Sequence, residues 1–299
     1  MMGTGPVPRA SIGLPVYNGE QYLAEALDSL LAQTFEDFEL IVCDNASTDR
    51  TEEIGRRYAA QDRRVRYERN ARNLGAPANY RRAFELSRGR YFRWAAADDV
   101  SAPQSLARCL EVLEREPNVV LAYPKTRFID ERSRVTADYE DRLHVQSSKA
   151  SDRFYQVLRR LERCNAIYGL MRADVLKCTR LLGDFLAADV VFMTELSLYG
   201  TFWEVPEFLF YRRFHAAASS AMDQTQIRTF YDPANPRRIR MREWRHLWEL
   251  SRAVGRAPLA VAEKLRLWSL LAWRTMRVSD RLAGELLGAT RWWLTSALR

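Results

Sequence analysis

Over the first 125 residues, short apolar runs alternate with stretches of helical periodicity, and this alternation limits the possible folds more than any other feature of the chain. Ser11-Ile12-Gly13-Leu14-Pro15-Val16 reads as a strand that Asn18-Gly19-Glu20 breaks. Tyr22, Leu23, Ala26, Leu27, Leu30 and Leu31 then recur at helical spacing, with Asn18 and Gln21 placed to cap that helix. Residues 38–43 form a second strand, and Asp49 with Glu52 marks the start of a second helix. Residues 65–68 form a third strand, and 77–87 a third helix closed by Gly89. A fourth strand over 91–95 ends at Asp98-Asp99. Ser101-Ala102-Pro103 opens a helix to Glu116, and 119–123 is a fifth strand.

This alternation predicts an α/β fold with a mainly parallel central sheet flanked by helices. Open parallel sheets bind ligands beyond the carboxyl ends of their strands, which points to residues 15–20, 44–47 and 96–100. Residues 126–150 are polar and show no clear period, so no element is predicted there. Residues 151–163, 172–181 and 190–199 read as helices, 202–213 as extended, and the chain from Arg237 on as helical and rich in Arg and Trp.

The 299 residues are 47% hydrophobic and 28% charged, which suits a sizeable soluble core. The longest apolar run, Val119-Val120-Leu121-Ala122-Tyr123, is far shorter than the roughly 20 residues that a membrane span needs. Residues 1–9 lack an apolar signal core, and the four scattered cysteines form no CxxC, so a cytoplasmic protein is expected. The net charge of +8 is unevenly placed. Residues 237–299 hold 14 Arg/Lys against 5 Asp/Glu, which leaves residues 1–236 close to neutral. The main body is therefore no general nucleic-acid binder.

Asp44, Asp98 and Asp99 stand at predicted strand ends. Adjacent carboxylates repel and call for a cation or hydrogen-bond donors. Mg²⁺ and Mn²⁺ take few protein carboxylates and complete their shells with water and phosphate oxygens, so a phosphate-bearing ligand makes chemical sense. The same residues also fit a plainer arrangement, with Asp98 capping the next helix and Asp99 solvated.

Four segments in order decide between these. Pro15-Val16-Tyr17-Asn18-Gly19-Glu20, Val42-Cys43-Asp44-Asn45-Ala46-Ser47-Thr48-Asp49, Asn73-Leu74-Gly75 with Ala78-Asn79, and Ala97-Asp98-Asp99 together resemble the family 2 glycosyltransferases. The resemblance is fullest over residues 10–130 and returns over 160–220. It implies a GT-A fold, a nucleotide-sugar donor, Mg²⁺ or Mn²⁺, and inversion at the anomeric carbon. By resemblance, Pro15, Tyr17 and Asn18 lie against the nucleoside, and Glu20 holds base or ribose. Asp44 would accept from a base ring nitrogen, which suits UDP, dTDP or GDP. Asn73 and Asn79 fall near the nucleotide, and Asp98 and Asp99 hold the ribose and the metal-bound diphosphate. Asp189 resembles the family's base, with Asp184 as a nearby substitute. Tyr211-Arg212-Arg213-Phe214-His215 resembles a Tyr-Arg-x-His stretch, which would give a metal ligand in His215 and diphosphate partners in Arg212 and Arg213. Two acids common in relatives are replaced here, by Ala96 and Ala188.

The first strand is not followed by GxGxxG, which argues against a dinucleotide-binding oxidoreductase, or by the Gly-rich basic loop of a nucleotidylyltransferase. A catalytically impaired nucleotide-sugar binder or membrane scaffold stays open because of Ala96 and Ala188. The expected organisation is a GT-A domain over 1–236, with a nucleotide half at 10–125 and an acceptor half at 126–236 for a glycan, glycolipid or small glycoside, and a helical extension over 237–299. Arg237, Arg238, Arg240, Arg242 and Arg245 lead into a segment bearing Trp244 and Trp248. Leu265, Trp268, Leu271 and Ala272 continue an apolar stripe beside Trp273 and Met276, and Trp292, Trp293 and Leu294 follow. Such a basic, Trp-rich segment suits an anionic inner membrane face, or else packing against the main domain or a second subunit in a homodimer.

Overall fold

The structure, a computed structural model, describes residues 7–235 and 241–297. The N-terminal half alternates as expected: β1 (Ala10–Val16), α1 (Leu23–Leu31), β2 (Phe38–Asp44), α2 (Thr51–Gln61), β3 (Val65–Arg69), α3 (Ala76–Glu85) and β4 (Tyr91–Trp94). These strands are parallel in the order β3-β2-β1-β4. Both β1 and β2 are buried along their whole length, which is why their sequences are mainly apolar, with Ser11, Glu39 and Asp44 as buried polar exceptions.

The second half holds β5 (Val100–Ser101), α4 (Ser105–Arg115), β6 (Val119–Ile129), β7 (Val135–Tyr139), α5 (Ala150–Arg160), β8 (Leu170–Arg172), α6 (Ala173–Cys178), α7 (Ala188–Leu196) and β9 (Thr201–Arg213). It extends the sheet through antiparallel β8 to β6, then to β9, which runs parallel to β6 and antiparallel to β5. Four helices follow: α8 (Gln224–Tyr231), α9 (Arg242–Arg256), α10 (Val261–Arg277) and α11 (Ser279–Ala297). The expected Arg237, Arg238 and Arg240 and the side chains of Trp292, Trp293 and Leu294 lie outside the described residues.

Each face of the sheet carries its own core. Ile12, Leu14 and Leu40 meet Leu23, Leu27 and Leu110 on one side. On the other, Trp94 packs edge-on against Phe92 and Phe192, at 5.0 and 5.4 Å between centroids. Leu250 and Val254 of α9 and Leu267 and Leu271 of α10 join that second cluster. Helices α9 and α10 thus bury one face against the sheet's own core.

Several local expectations are corrected. Asn18 does not cap α1. Its backbone is left-handed (φ 51°), and its Oδ1 accepts from Thr48 N at 2.8 Å. Asp49 does accept from Thr51 N at 3.0 Å, but Glu52 turns outward to Arg56. Gly89 lies beyond the end of α3 at Leu86; a Cβ there would meet Ala10 C and Ser11 N at 2.7 Å, so the need is close approach. Val100-Ser101 pairs with β9, and α4 begins only at Ser105. Residues 126–150 contain the end of β6 and all of β7, which is exposed along nearly its whole length and so lacks an apolar face to read.

Just past β7, Asp141 is 5% exposed, with Oδ1 accepting from Asn165 N at 3.2 Å and Oδ2 without a partner. Burial, opposed by the Asn165 hydrogen bond and aided by Glu204, pushes its carboxyl from 3.8 up to about 7. The folded protein therefore holds this proton where the unfolded chain has lost it. Stability from this group is full below about pH 4 and falls as pH rises to about 7. Asp141→Asn is expected to raise the melting temperature at pH 8 and to narrow that gain at pH 5; an equal effect at both would refute the assignment.

Candidate active site

The loops after β1 and β2 are bound together by side chains capping each other's amides. Asn18 N donates to Ser47 Oγ and Gly19 N to Thr51 Oγ1, both at 2.9 Å. Glu20 N donates to Asp49 Oδ2, and Glu20 Oε2 accepts from Arg50 N, both at 3.0 Å. Beneath them Asp44 is fully buried. Its Oδ1 accepts from Ser47 N and Oγ at 2.9 and 2.6 Å, and its Oδ2 from the Tyr67 hydroxyl and the Arg69 guanidinium. An asparagine network continues inward. Asn45 Nδ2 donates to Asn73 Oδ1, Asn70 Nδ2 to Asn79 Oδ1, and Asn79 Nδ2 to Cys43 O, at 2.7–2.8 Å. These bonds satisfy buried amides that would otherwise be costly.

A cavity of about 720 Å³ opens above the carboxyl ends of β1 and β4. Of the expected residues it is lined by Pro15, Tyr17, Asn18, Asn73, Asn79, Asp98 and His215. Glu20, Asp44, Asp99, Asp189, Arg212 and Arg213 are not in its lining. Both Asp44 oxygens are engaged by the bonds above, whereas the exposed Glu20 carboxylate accepts from Arg50 N through Oε2.

Asp98 and its neighbour part ways. Asp98 Oδ2 lies 2.9 Å from His215 Nε2, and that ring packs on Tyr22 with centroids 4.8 Å apart. Asp99 points inward, 8% exposed, with Oδ1 accepting from Arg213 N at 2.8 Å. Burial and the Asp98 charge hold its carboxyl well above the ordinary range. The Arg213 side chain is fully buried and committed. Its Nε donates to Asp98 O at 2.8 Å, Nη1 to Asp130 O and Ser133 Oγ, and Nη2 to Glu25 at 2.7 Å. It cannot meet a diphosphate without abandoning these partners. Arg212 donates to Asn165 Oδ1 at 2.5 Å and to Arg163 O, away from the cavity.

For a divalent ion, the cavity wall therefore offers one carboxylate and one imidazole, Asp98 and His215. No group of three or more His, Cys, Asp or Glu converges among the described residues. This oxygen and nitrogen pair fits a Mg²⁺ or Mn²⁺ ion that keeps water and phosphate in its other positions, and Asp99 does not reach it.

Asp189 sits in the first turn of α7, half-buried, its Oδ1 accepting from Val190 N at 3.0 Å. Burial, with Asp189 adding, holds both the Cys164 thiol and the Tyr231 phenol well above their usual values. Thr225, Gln226, Thr229 and Phe230 of α8 wall the cavity. Asp184 is exposed.

Tyr22, Tyr80, Tyr168 and α8 itself were not anticipated from sequence. The Tyr80 and Tyr168 hydroxyls lie 3.3 Å apart in the cavity, and burial pushes the Tyr80 phenol up to about 12. For α8 a signal was present. Asp223-x-x-Gln226 forms a reciprocal capping box, with Asp223 Oδ1 accepting from Gln226 N at 2.8 Å and Asp223 N donating to Gln226 Oε1 at 2.9 Å.

Comparison with known proteins places this geometry. Residues 11–177 match the sequence profile of Glycosyl transferase family 2. An uncharacterized glycosyltransferase of Methanocaldococcus jannaschii is 32% identical over 142 residues, covering 47% of this chain and 49% of that protein. Another, from Haemophilus influenzae, is 27% identical over 227 residues, covering 72% and 68%. The chain spans about half the length, or less, of the curated relatives it matches first. Among solved structures, S. aureus TarS 1–349 in complex with UDP superposes with a TM-score of 0.64 at 16% identity, covering 90% of this chain and 72% of that one. The mannosyltransferase PcManGT of Pyrobaculum calidifontis, in complex with GDP-Man and Mn²⁺, gives 0.54 at 15% identity, covering 95% and 86%. The fold is thus GT-A-like.

The α8 wall depends on Gly75. Its φ is +82°, and a Cβ there would come within 2.6 Å of Tyr231 O and 3.1 Å of Pro233 Cδ. Gly75→Ala adds about 1–3 kcal/mol of backbone strain, because φ 82° with ψ 156° is a region essentially reserved for glycine, and a clash that α8 relieves by moving out. Amide exchange over residues 224–231 should quicken while β1 and β2 stay protected. Unaltered exchange in α8 would show that Gly75 does not set this wall.

Proposed function

From the premise that the chain belongs to glycosyl transferase family 2, we propose that it is an inverting, metal-dependent glycosyltransferase. It moves a sugar from a UDP, dTDP or GDP donor to a hydroxyl of a glycan, glycolipid or small glycoside. The observation that carries this reading is the cavity over β1 and β4, where Asp98 and His215 face the loop residues Tyr17, Asn18 and Asn73. The solved relatives in complex with UDP, UDP-GlcNAc and GDP-Man support a nucleoside diphosphate sugar as donor.

In this reading Pro15 and Tyr17 flank the nucleoside, and Asn18 and Asn73 border its polar edge. Asp44 and Glu20 act by fixing the loops, and Asn79 by anchoring the asparagine network. Asp98 and His215 would hold a divalent ion, which when bound supplies Lewis-acid neutralisation of the leaving diphosphate. Asp99 and Arg213 keep Asp98 in place, and Arg212 braces the Asn165 turn.

Asp189 serves as the base. The acceptor oxygen forms its bond to the anomeric carbon as the bond to the diphosphate oxygen breaks, and the acceptor proton passes to the Asp189 carboxylate. Attack from the face opposite the leaving group gives inversion. A base on α7, separate from the wall bearing Asp98, suits that requirement.

Calorimetry with UDP, dTDP and GDP, with and without Mn²⁺, tests the donor class, and release of the nucleotide from its sugar tests turnover. One nucleotide should bind with a Mn²⁺ enhancement that His215→Ala abolishes. Asp189→Asn should leave nucleotide binding intact and lower transfer by about 10²-fold or more. Wild-type turnover in that variant removes Asp189 from the role. Tight nucleotide binding without any release would instead favour the impaired binder to which Ala96 and Ala188 point.

A further inference from the structure

Thirteen large hydrophobic residues are exposed among those described, and nine of them lie on α9, α10 and α11. Their arrangement on α10 is specific. Val261, Leu265, Trp268, Ala272 and Met276 are all exposed, Val261 by 72% and Met276 by 68%. At about 100° per residue these positions fall within an arc of about 80°, along roughly 22 Å of helix. Leu271, expected in the same stripe, is instead buried with Leu267 against the sheet's core. The helix is therefore apolar on two faces, and among the described residues only one of them is covered.

Arginines also stand over exposed rings of α9 and α10. The Arg277 guanidinium lies 4.4 Å from the exposed Trp273 ring, and Arg252 lies 6.0 Å from Trp248, which is 59% exposed. Neither arginine makes an ion pair among the described residues, whereas Arg245, Arg256 and Arg274 pair inward with Glu249, Glu195 and Glu243. Half-exposed indoles beside unpaired guanidinium groups match the headgroup layer of a bilayer, where a ring meets acyl chain and a cation meets phosphate. A second copy of this chain is disfavoured, because a two-fold contact would set this basic face against itself. No helix among the described residues is long and apolar enough to cross a membrane, so the face would lie on the surface.

We propose that the outer face of α9 and α10 docks on an anionic lipid surface, with Val261, Leu265, Trp268 and Met276 inserted and Arg252 and Arg277 on lipid phosphates. The inference does not depend on the reaction assigned above. The full chain should sediment with vesicles of phosphatidylcholine and phosphatidylglycerol, and added salt should weaken this. Pure phosphatidylcholine should retain little. Leu265→Glu with Trp268→Ala, and separately Arg252→Gln with Arg277→Gln, should each lower vesicle affinity about tenfold or more. All four side chains are exposed, so melting temperature and nucleotide binding should stay as in the parent protein. If the parent chain ignores anionic vesicles, or binds them as well with these substitutions, the proposal is overturned. It is equally overturned if the chain is a dimer that Leu265→Glu dissociates and that shows no affinity for vesicles, since the stripe would then belong to a second copy.

Discussion

The buried guanidinium of Arg213 is the interaction on which the functional end of the molecule depends. A cation held out of water is tolerated only when its N–H groups are matched, and the partners here come from three separate parts of the chain. Asp98 O belongs to the segment after β4, Asp130 O and Ser133 Oγ to the β6–β7 turn, and Glu25 to α1. The Arg213 amide meanwhile ties Asp99 into the interior. With Asp99 drawn in, the Asp98 carboxylate is left facing the cavity, and His215, two residues beyond Arg213, arrives beside it.

The rest of the cavity is built on the same logic of satisfied polar groups. Asp44 neutralises Arg69 and caps the turn at Ser47, so the loops after β1 and β2 can stand close above it. The Asn45, Asn70, Asn73 and Asn79 amides carry that order across to α3. The opposite wall is lighter. No residue of α8 is fully buried, Ile227, Phe230 and Tyr231 being half-buried, and the helix leans on the space that Gly75 leaves. A rigid floor beneath a lightly packed wall suits a site that must admit and release a large polar ligand.

Much of the N-terminal half was legible because parallel strands covered on both faces write short, mainly apolar segments, as Ile12 to Val16 and Leu40 to Cys43 do. The antiparallel β7 was not legible, since an exposed strand carries no such run. Caps were read less well. Asn18 sits near a helix start, but the Ser47–Thr48 loop offers its amide and side chain better partners than the helix does. Helix α7 lies close to the span expected for it, while α8 was missed although its capping box was written in Asp223 and Gln226.

Periodicity and motif order in the sequence by themselves determined the alternating architecture, the strand ends that matter and the family resemblance. Which of two adjacent carboxylates faces the cavity was decided only by the tertiary structure. Asp98 and Asp99 are chemically alike and differ in what lies around them, the cavity for one and the Arg213 amide for the other. The same holds for Arg212 and Arg213, and for Leu265 and Leu271 on α10. Local sequence sets what a side chain can do, whereas burial and hydrogen-bond partners come from segments far along the chain, and those settle which role it takes.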